Sequence, residues 1–163
     1  ESLRLDEELM MVEDPPFNVH AFSKAKRFYA VDIPVYCYRI RDDSLQRQKY
    51  VPDYDKWICL QWSLKMKYYS ENCTKIQMFS EDLSEYTIKS IFPVLLKNVY
   101  RNKPDESYKV LKRIGNSEMM RKSFADYDIN RFKSKSLDWL MTKFVLKKHY
   151  LSAHLMCKYI LYK

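Results

Sequence analysis

Apolar residues recur at intervals of three and four over most of this chain, and that spacing predicts a mainly helical protein. Phe17, Ala21, Phe22 and Ala25 share one face of a first helix over residues 16–26. Pro15 and Pro16 suit its first turn, where no backbone N–H is needed. Pro52 and Asp53 open a longer helix over residues 52–70, with Tyr54, Trp57, Ile58, Gln61, Leu64 and Tyr68 as its buried stripe. Gln61 is a polar residue on that stripe for which the pattern gives no reason. A third segment runs from Ser80 and carries Ile88, Ile91, Phe92, Leu95, Leu96 and Val99. Pro93 lacks an N–H and crowds the preceding turn, so it requires a kink or a restart near Ser90. Asp105 as N-cap and Gly115 as stop bracket a short helix, and a final pair covers residues 136–148 and 150–161.

The period shortens only once. The β-branched and aromatic runs at residues 27–31 and 35–40, split by Asp32, Ile33 and Pro34, predict a short strand pair. The fold class is therefore mainly α with a short β strand pair.

At 163 residues the chain suits one compact core. A hydrophobic content of 47% excludes disorder, and no apolar run approaches the roughly twenty residues of a membrane span. The first residues are charged and show no secretory pattern. Cys37, Cys59, Cys73 and Cys157 have no CxxC spacing and read as free, packed thiols of a reducing cytoplasm. Trp57, Trp62 and Trp139 read as core residues, since large aromatics dominate buried area. His20 reads as a structural imidazole, and His149 and His154 have no acidic or Cys partner at ligand spacing.

Charge is uneven. Residues 1–14 hold six acids and Arg4, whereas residues 131–163 hold eight Lys or Arg against Asp138 alone. That basic end, with Leu140, Met141, Phe144, Leu151, Tyr159 and Tyr162, suits a helix lying on an anionic bilayer surface. A solvated lysine face on an internally packed helix is the alternative.

Glu13 and Asp14 run straight into the proline pair. Carboxylates at a helix start are stabilised by the helix dipole and the free N–H groups. An ionised acid there can accept a proton from a hydroxyl within hydrogen-bond reach, or simply complement the helix end. The order of the surrounding elements adds to this. Leu5-Asp6-Glu7-Glu8-Leu9 leads to Glu13-Asp14, then Phe17-Asn18 and Ser23-Lys24-Ala25-Lys26-Arg27, then Pro34-Val35-Tyr36-Cys37-Tyr38-Arg39-Ile40-Arg41-Asp42-Asp43-Ser44. This series resembles the end of the catalytic domain of family 2 glycosyltransferases, especially bacterial enzymes of capsule, exopolysaccharide and lipopolysaccharide synthesis. The resemblance is specific over residues 3–44 and compositional beyond them.

The resemblance implies inverting sugar transfer from a nucleotide-sugar donor to a saccharide or lipid-linked acceptor. Asp14 would be the general base and Glu13 would orient the acceptor or the motif backbone. Arg39 and Arg41 would meet the donor phosphates, or else belong to a solvated loop. It further implies a GT-A-type α/β domain whose nucleotide-binding half, with its divalent Mg or Mn, precedes residue 1. Residues 1–48 would be the end of that catalytic domain and residues 49–163 a helical C-terminal extension, inactive alone. The chain departs from the family in having no Asp-x-Asp motif before the acidic pair. Asp53-Tyr54-Asp55 and Asp126-Tyr127-Asp128 follow it and read as capping and turn acids, and Gly115 as sole glycine rules out a phosphate loop.

An apolar patch drawn from Leu9, Met10, Met11, Phe17, Phe22, Val31 and Ile33 is then expected to be exposed for the missing half, or covered by dimerisation. The expected location is cytoplasmic, peripheral on the inner face of a bacterial membrane. A basic helical module for nucleic acid, or a purely structural domain, is the competing class. The pI near 9.2 suits nucleic acid, but no helix-turn-helix, zinc-finger or RNP pattern appears, so no nucleic-acid partner is expected.

Overall fold

Trp62 is the largest side chain at the centre of the fold, 2% exposed and surrounded by residues from several helices. The computed structural model describes residues 3–5, 7–9, 13–34, 37, 50–131 and 137–161, with backbone alone at Asp138 and Leu161. In chain order the α-helices are α1 (Asp14–Lys24), α2 (Tyr54–Asn72), α3 (Ile76–Tyr86), α4 (Phe92–Asn102), α5 (Ser107–Gly115), α6 (Glu118–Asp126), α7 (Leu137–Leu146) and α8 (Tyr150–Leu161). Helix α1 lies on α2, α3 on α6, and α8 on α7, α4 and α5. Phe92, Leu95, Leu96, Tyr100, Leu111, Ile114, Met119, Met120 and Val145 fill the space between them.

Pro93 acts as the sequence requires. Its ring would strike the carbonyl four residues back in an ordinary helix. Here α3 passes into a π-helical turn, Thr87–Ile91, and α4 starts at Phe92 with Pro93 in its first turn. The wider turn closes through the Phe92 N–H to the Thr87 carbonyl, and the Thr87 hydroxyl donates to the Leu83 carbonyl at 2.7 Å. Gly115 ends α5 as expected, and for a packing reason. A Cβ there would lie 2.6 Å from Cε1 of Tyr150 and 3.0 Å from Cγ1 of Val145, so only glycine lets α8 seat against α5.

Among the described residues there is no strand. The first half of the expected pair, residues 27–31, has no regular secondary structure, and residues 35, 36 and 38–40 lie outside the described residues. Phe28, Tyr29, Val31 and Ile33 are 63–82% exposed. β propensity expresses the fit of a side chain to a half-buried pleated surface, and among the described residues no strand supplies one. The expected boundary between residues 48 and 49 also lies outside the described residues.

The buried face of α2 is rotated from the expected stripe. Ile58, Gln61, Trp62, Asp55 and Lys65 are buried, whereas Trp57, Leu64 and Tyr68 are half-buried. Trp139 is likewise only half-buried. Asp55 forms a two-point ion pair with Arg113 of α5, at 2.7 and 2.8 Å, and so ties α2 to α5. The Asn98 side chain takes the Val51 N–H and returns a donor to the Val51 carbonyl, each at 3.0 Å, fixing the approach to α2 on α4.

Candidate functional site

Helix α1 places the acidic pair. Asp14 is its first residue and is exposed; Glu13 precedes it and is half-buried, its carbonyl taking the Phe17 N–H at 3.3 Å. The pair thus sits at a helix start with the positive end of the dipole behind it. His20, farther along α1, stacks on Tyr68 of α2 at 4.2 Å and 8°, which holds α1 against α2 and gives the imidazole its structural part.

Pro15, next to Asp14, forms part of the wall of a cavity of about 440 Å³ between α2 and the α3–α4 segment. Tyr54, Ile58, Gln61 and Lys65 line it from α2, and Tyr86, Ser90, Ile91, Val94 and Leu95 from the other side. Ile58, Gln61, Lys65, Ile91 and Leu95 are buried and make the floor; Tyr86, Ser90 and Val94 are exposed and make the mouth. The π-helical turn contributes Ser90 and Ile91, and such turns recur at functional sites because they re-aim side chains.

The floor holds a charge. Lys65 is 7% exposed, and its ammonium donates to Gln61 Oε1 at 3.3 Å. Burial pushes the Lys65 amine down to about 8. Burial likewise raises the Tyr54 phenol, with a further contribution from Tyr86. Gln61, unexplained in the sequence, is there to accept from a sunken ammonium one turn later. Sequence reading missed Lys65, and the signal was a polar pair at i and i+4 on one apolar stripe.

The two Asp-x-Asp matches are structural, as expected, but neither Asp53 nor Asp55 caps α2. Asp53, in the left-handed region with φ of 52°, pairs with Lys56 at 2.8 Å, and Asp55 is taken by Arg113. Asp126 accepts from the Ser80 hydroxyl, and Asp128 from the Asn130 N–H. Asp105 lies in a 3-10 turn before α5 and not at its cap. Among the described residues no group of three His, Cys, Asp or Glu is arranged to hold a metal ion. Arg39 and Arg41 lie outside the described residues. Among the described residues the cysteines form no disulfide; Cys157 is packed against Met141 as expected, whereas Cys37 is exposed and Cys59 and Cys73 half-buried.

The expected apolar patch is present in part. Phe22, Val31 and Ile33 are exposed, joined by Phe28, which meets Phe22 edge-on at 5.5 Å. Leu9 is buried and Phe17 half-buried, while Met10 and Met11 lie outside the described residues. At the basic end, Leu151, Leu155 and Tyr159 form an exposed stripe along α8 at 59–62%, beside exposed Lys147, Lys148 and Lys158. His154 faces inward and bonds the Tyr100 hydroxyl at 2.8 Å, its imidazole held below the usual range by burial and by Lys158. No described helix is long and apolar enough to cross a membrane.

Comparison with known proteins gives one informative likeness. The chain is 31% identical over 124 residues to a Bacillus subtilis protein named as the uncharacterised glycosyltransferase EpsJ. The match covers 75% of this chain and 36% of that protein, so the chain spans about a third of the relative's length. No family model matches the chain, and no solved structure matches it.

Proposed function

We propose that this chain is the acceptor side and C-terminal part of an inverting, family 2, GT-A-type glycosyltransferase of cell-surface polysaccharide synthesis. The observation that carries this reading is an exposed carboxylate, Asp14, at the first turn of α1 beside the wall of a 440 Å³ cavity, in a chain related to a protein named as a glycosyltransferase. An acceptor hydroxyl held at the cavity mouth gives its proton to Asp14 as its oxygen attacks the anomeric carbon of a nucleotide-sugar. The nucleoside diphosphate then leaves as an anion, which needs positive charge and not a proton. Arg39 and Arg41 are the groups of this chain assigned to that charge, and Glu13 orients the acceptor. A divalent ion, Mg or Mn, belongs to the nucleotide-binding half and to none of the residues described above.

The exposed Phe22, Phe28, Val31 and Ile33 are the surface on which that half packs, and in its absence two copies of this chain cover it. The α8 stripe with its lysines holds the enzyme peripherally on the anionic inner face of a bacterial membrane, close to lipid-linked acceptors. The test is transfer from a panel of nucleotide-sugars, with divalent metal, by this chain alone and by a longer chain that includes an upstream α/β half. Transfer by the longer chain alone is expected. Transfer by these 163 residues alone, or by neither chain with any donor, overturns the reading.

A further inference from the structure

The cavity floor carries a chemical demand that general-base catalysis does not use. Lys65 is 7% exposed and donates one hydrogen bond, to Gln61 at 3.3 Å. An ammonium has three donors, and a buried one is costly unless an opposite charge or enough acceptors surround it. Among the described residues no carboxylate lines the cavity and no acid pairs with Lys65. The rest of the wall is Tyr54, Tyr86, Ile58, Ile91, Val94 and Leu95, which offers ring faces and aliphatic surface and one hydroxyl, Ser90, beside the phenols. A volume of about 440 Å³ lies within the range of small-molecule sites, and convergent polar groups on an apolar wall are their usual composition.

We propose that this cavity binds a small ring-bearing molecule through a phosphate or carboxylate group, taken by Lys65 at the floor while the ring lies between Tyr54 and Tyr86. An anion supplies the acceptors that the ammonium lacks, and it does so in a low-dielectric setting where a charge-assisted hydrogen bond is strong. Gln61 spends its carbonyl oxygen on Lys65, which orients the ammonium. The depressed proton affinity of Lys65 has the same origin, burial without a counter-charge, and an anion in the cavity reverses it. On the glycosyltransferase reading the molecule is an anionic sugar, but the anion site rests on the cavity alone.

The test is isothermal titration of the chain with glucose 1-phosphate, glucuronate, phenyl phosphate and, as the uncharged control, glucose. At least one of the three anions is expected to bind, with glucose at least tenfold weaker than its anionic counterpart. Glucose 1-phosphate against glucuronate separates phosphate from carboxylate, and phenyl phosphate alone would keep the anion site while removing the sugar. Lys65→Met, which keeps an unbranched apolar stem and removes the charge, is expected to lose about tenfold or more in affinity. Tyr86→Ala, at the exposed mouth, is expected to weaken binding with the floor intact. Exposed Lys109→Gln is expected to leave anion affinity unchanged. Binding that survives Lys65→Met, equal binding of glucose, or no binding of any of the three anions overturns the proposal.

Discussion

Lysines stand in two different settings in this molecule. Lys65 is sunk in the floor of a largely apolar cavity, where its hydrogen-bond partner among the described residues is a neutral amide. Lys147, Lys148 and Lys158 stand exposed around the α8 stripe, and the sequence from Trp139 to Leu161 holds no acid to oppose them. A buried charge acts over a few ångströms and selects by geometry. Exposed charges act over a Debye length, about 8 Å at physiological salt, and select by sign. The first arrangement suits recognition of a particular small molecule, and the second suits attachment to a surface. Salt separates them, since screening weakens the exposed set far more than the buried lysine.

The sharpest test is to remove chemistry at the cavity end alone. Asp14→Asn in the longer enzyme keeps the shape and removes the proton acceptor, so turnover is expected to fall by about a hundredfold or more. Membrane attachment should be unchanged, and near-normal turnover would end the assignment of the base. The converse change is Lys147→Gln with Lys148→Gln. Each basic residue near an anionic surface contributes about 1 kcal/mol, so sedimentation with anionic liposomes should weaken about thirtyfold. Neutral liposomes should bind poorly before and after. Equal, negligible binding of the unaltered chain to both kinds would leave α7 and α8 as a packed pair with a solvated lysine face.

Packing supplies a third test, independent of charge. Gly115→Ala puts a methyl group against Tyr150, a rigid ring that is 7% exposed. The loss is expected to be about 2 kcal/mol, enough to outweigh the roughly 1 kcal/mol that alanine gains in helix propensity. A thermal melt reads the net effect, and an unchanged or raised midpoint would show that α5 and α8 part easily. A fourth test concerns pH. Lys65 has a folded value of about 8, below its ordinary 10.5, so the unfolded chain binds the extra proton between those values. Stability contributed by this group therefore rises with pH from about 8 to 10.5, by about 1 kcal/mol per pH unit. Subtracting the Lys65→Met profile isolates it from the tyrosines, and identical profiles would place the amine in water.

Much of the fold was legible because local rules and tertiary packing agree in it. Pro93 announces the break before α4, Gly115 the end of α5, and the three-and-four spacing the rest. The helix start at the acidic pair was legible because two prolines follow it. The run at residues 27–31 was misread because β-branched and aromatic residues favour a strand only where a pleated surface buries them, and Phe28, Tyr29 and Val31 stay exposed. The face of α2 was misjudged for a related reason. Asp55 and Lys65 look like surface residues until Arg113 and Gln61, one distant and one local, are seen to receive them. Trp57 looked like core, yet Trp62 holds the centre, because rotation about a helix axis is decided by what packs on it.

The π-helical turn between Thr87 and Ile91 has an implication for descent. A turn with one residue too many behaves as a single-residue insertion absorbed without breaking the helix. Deleting one residue there would close the wide turn to ordinary α spacing and leave the facing of α4 on α3 nearly unchanged, since the extra residue is taken up in the turn itself. The strain would fall on Pro93, whose ring would then meet the carbonyl four residues back in an unbroken helix. The wide turn is thus tied to the proline. A homologous chain one residue shorter between Tyr86 and Pro93 is expected to lack that proline as well.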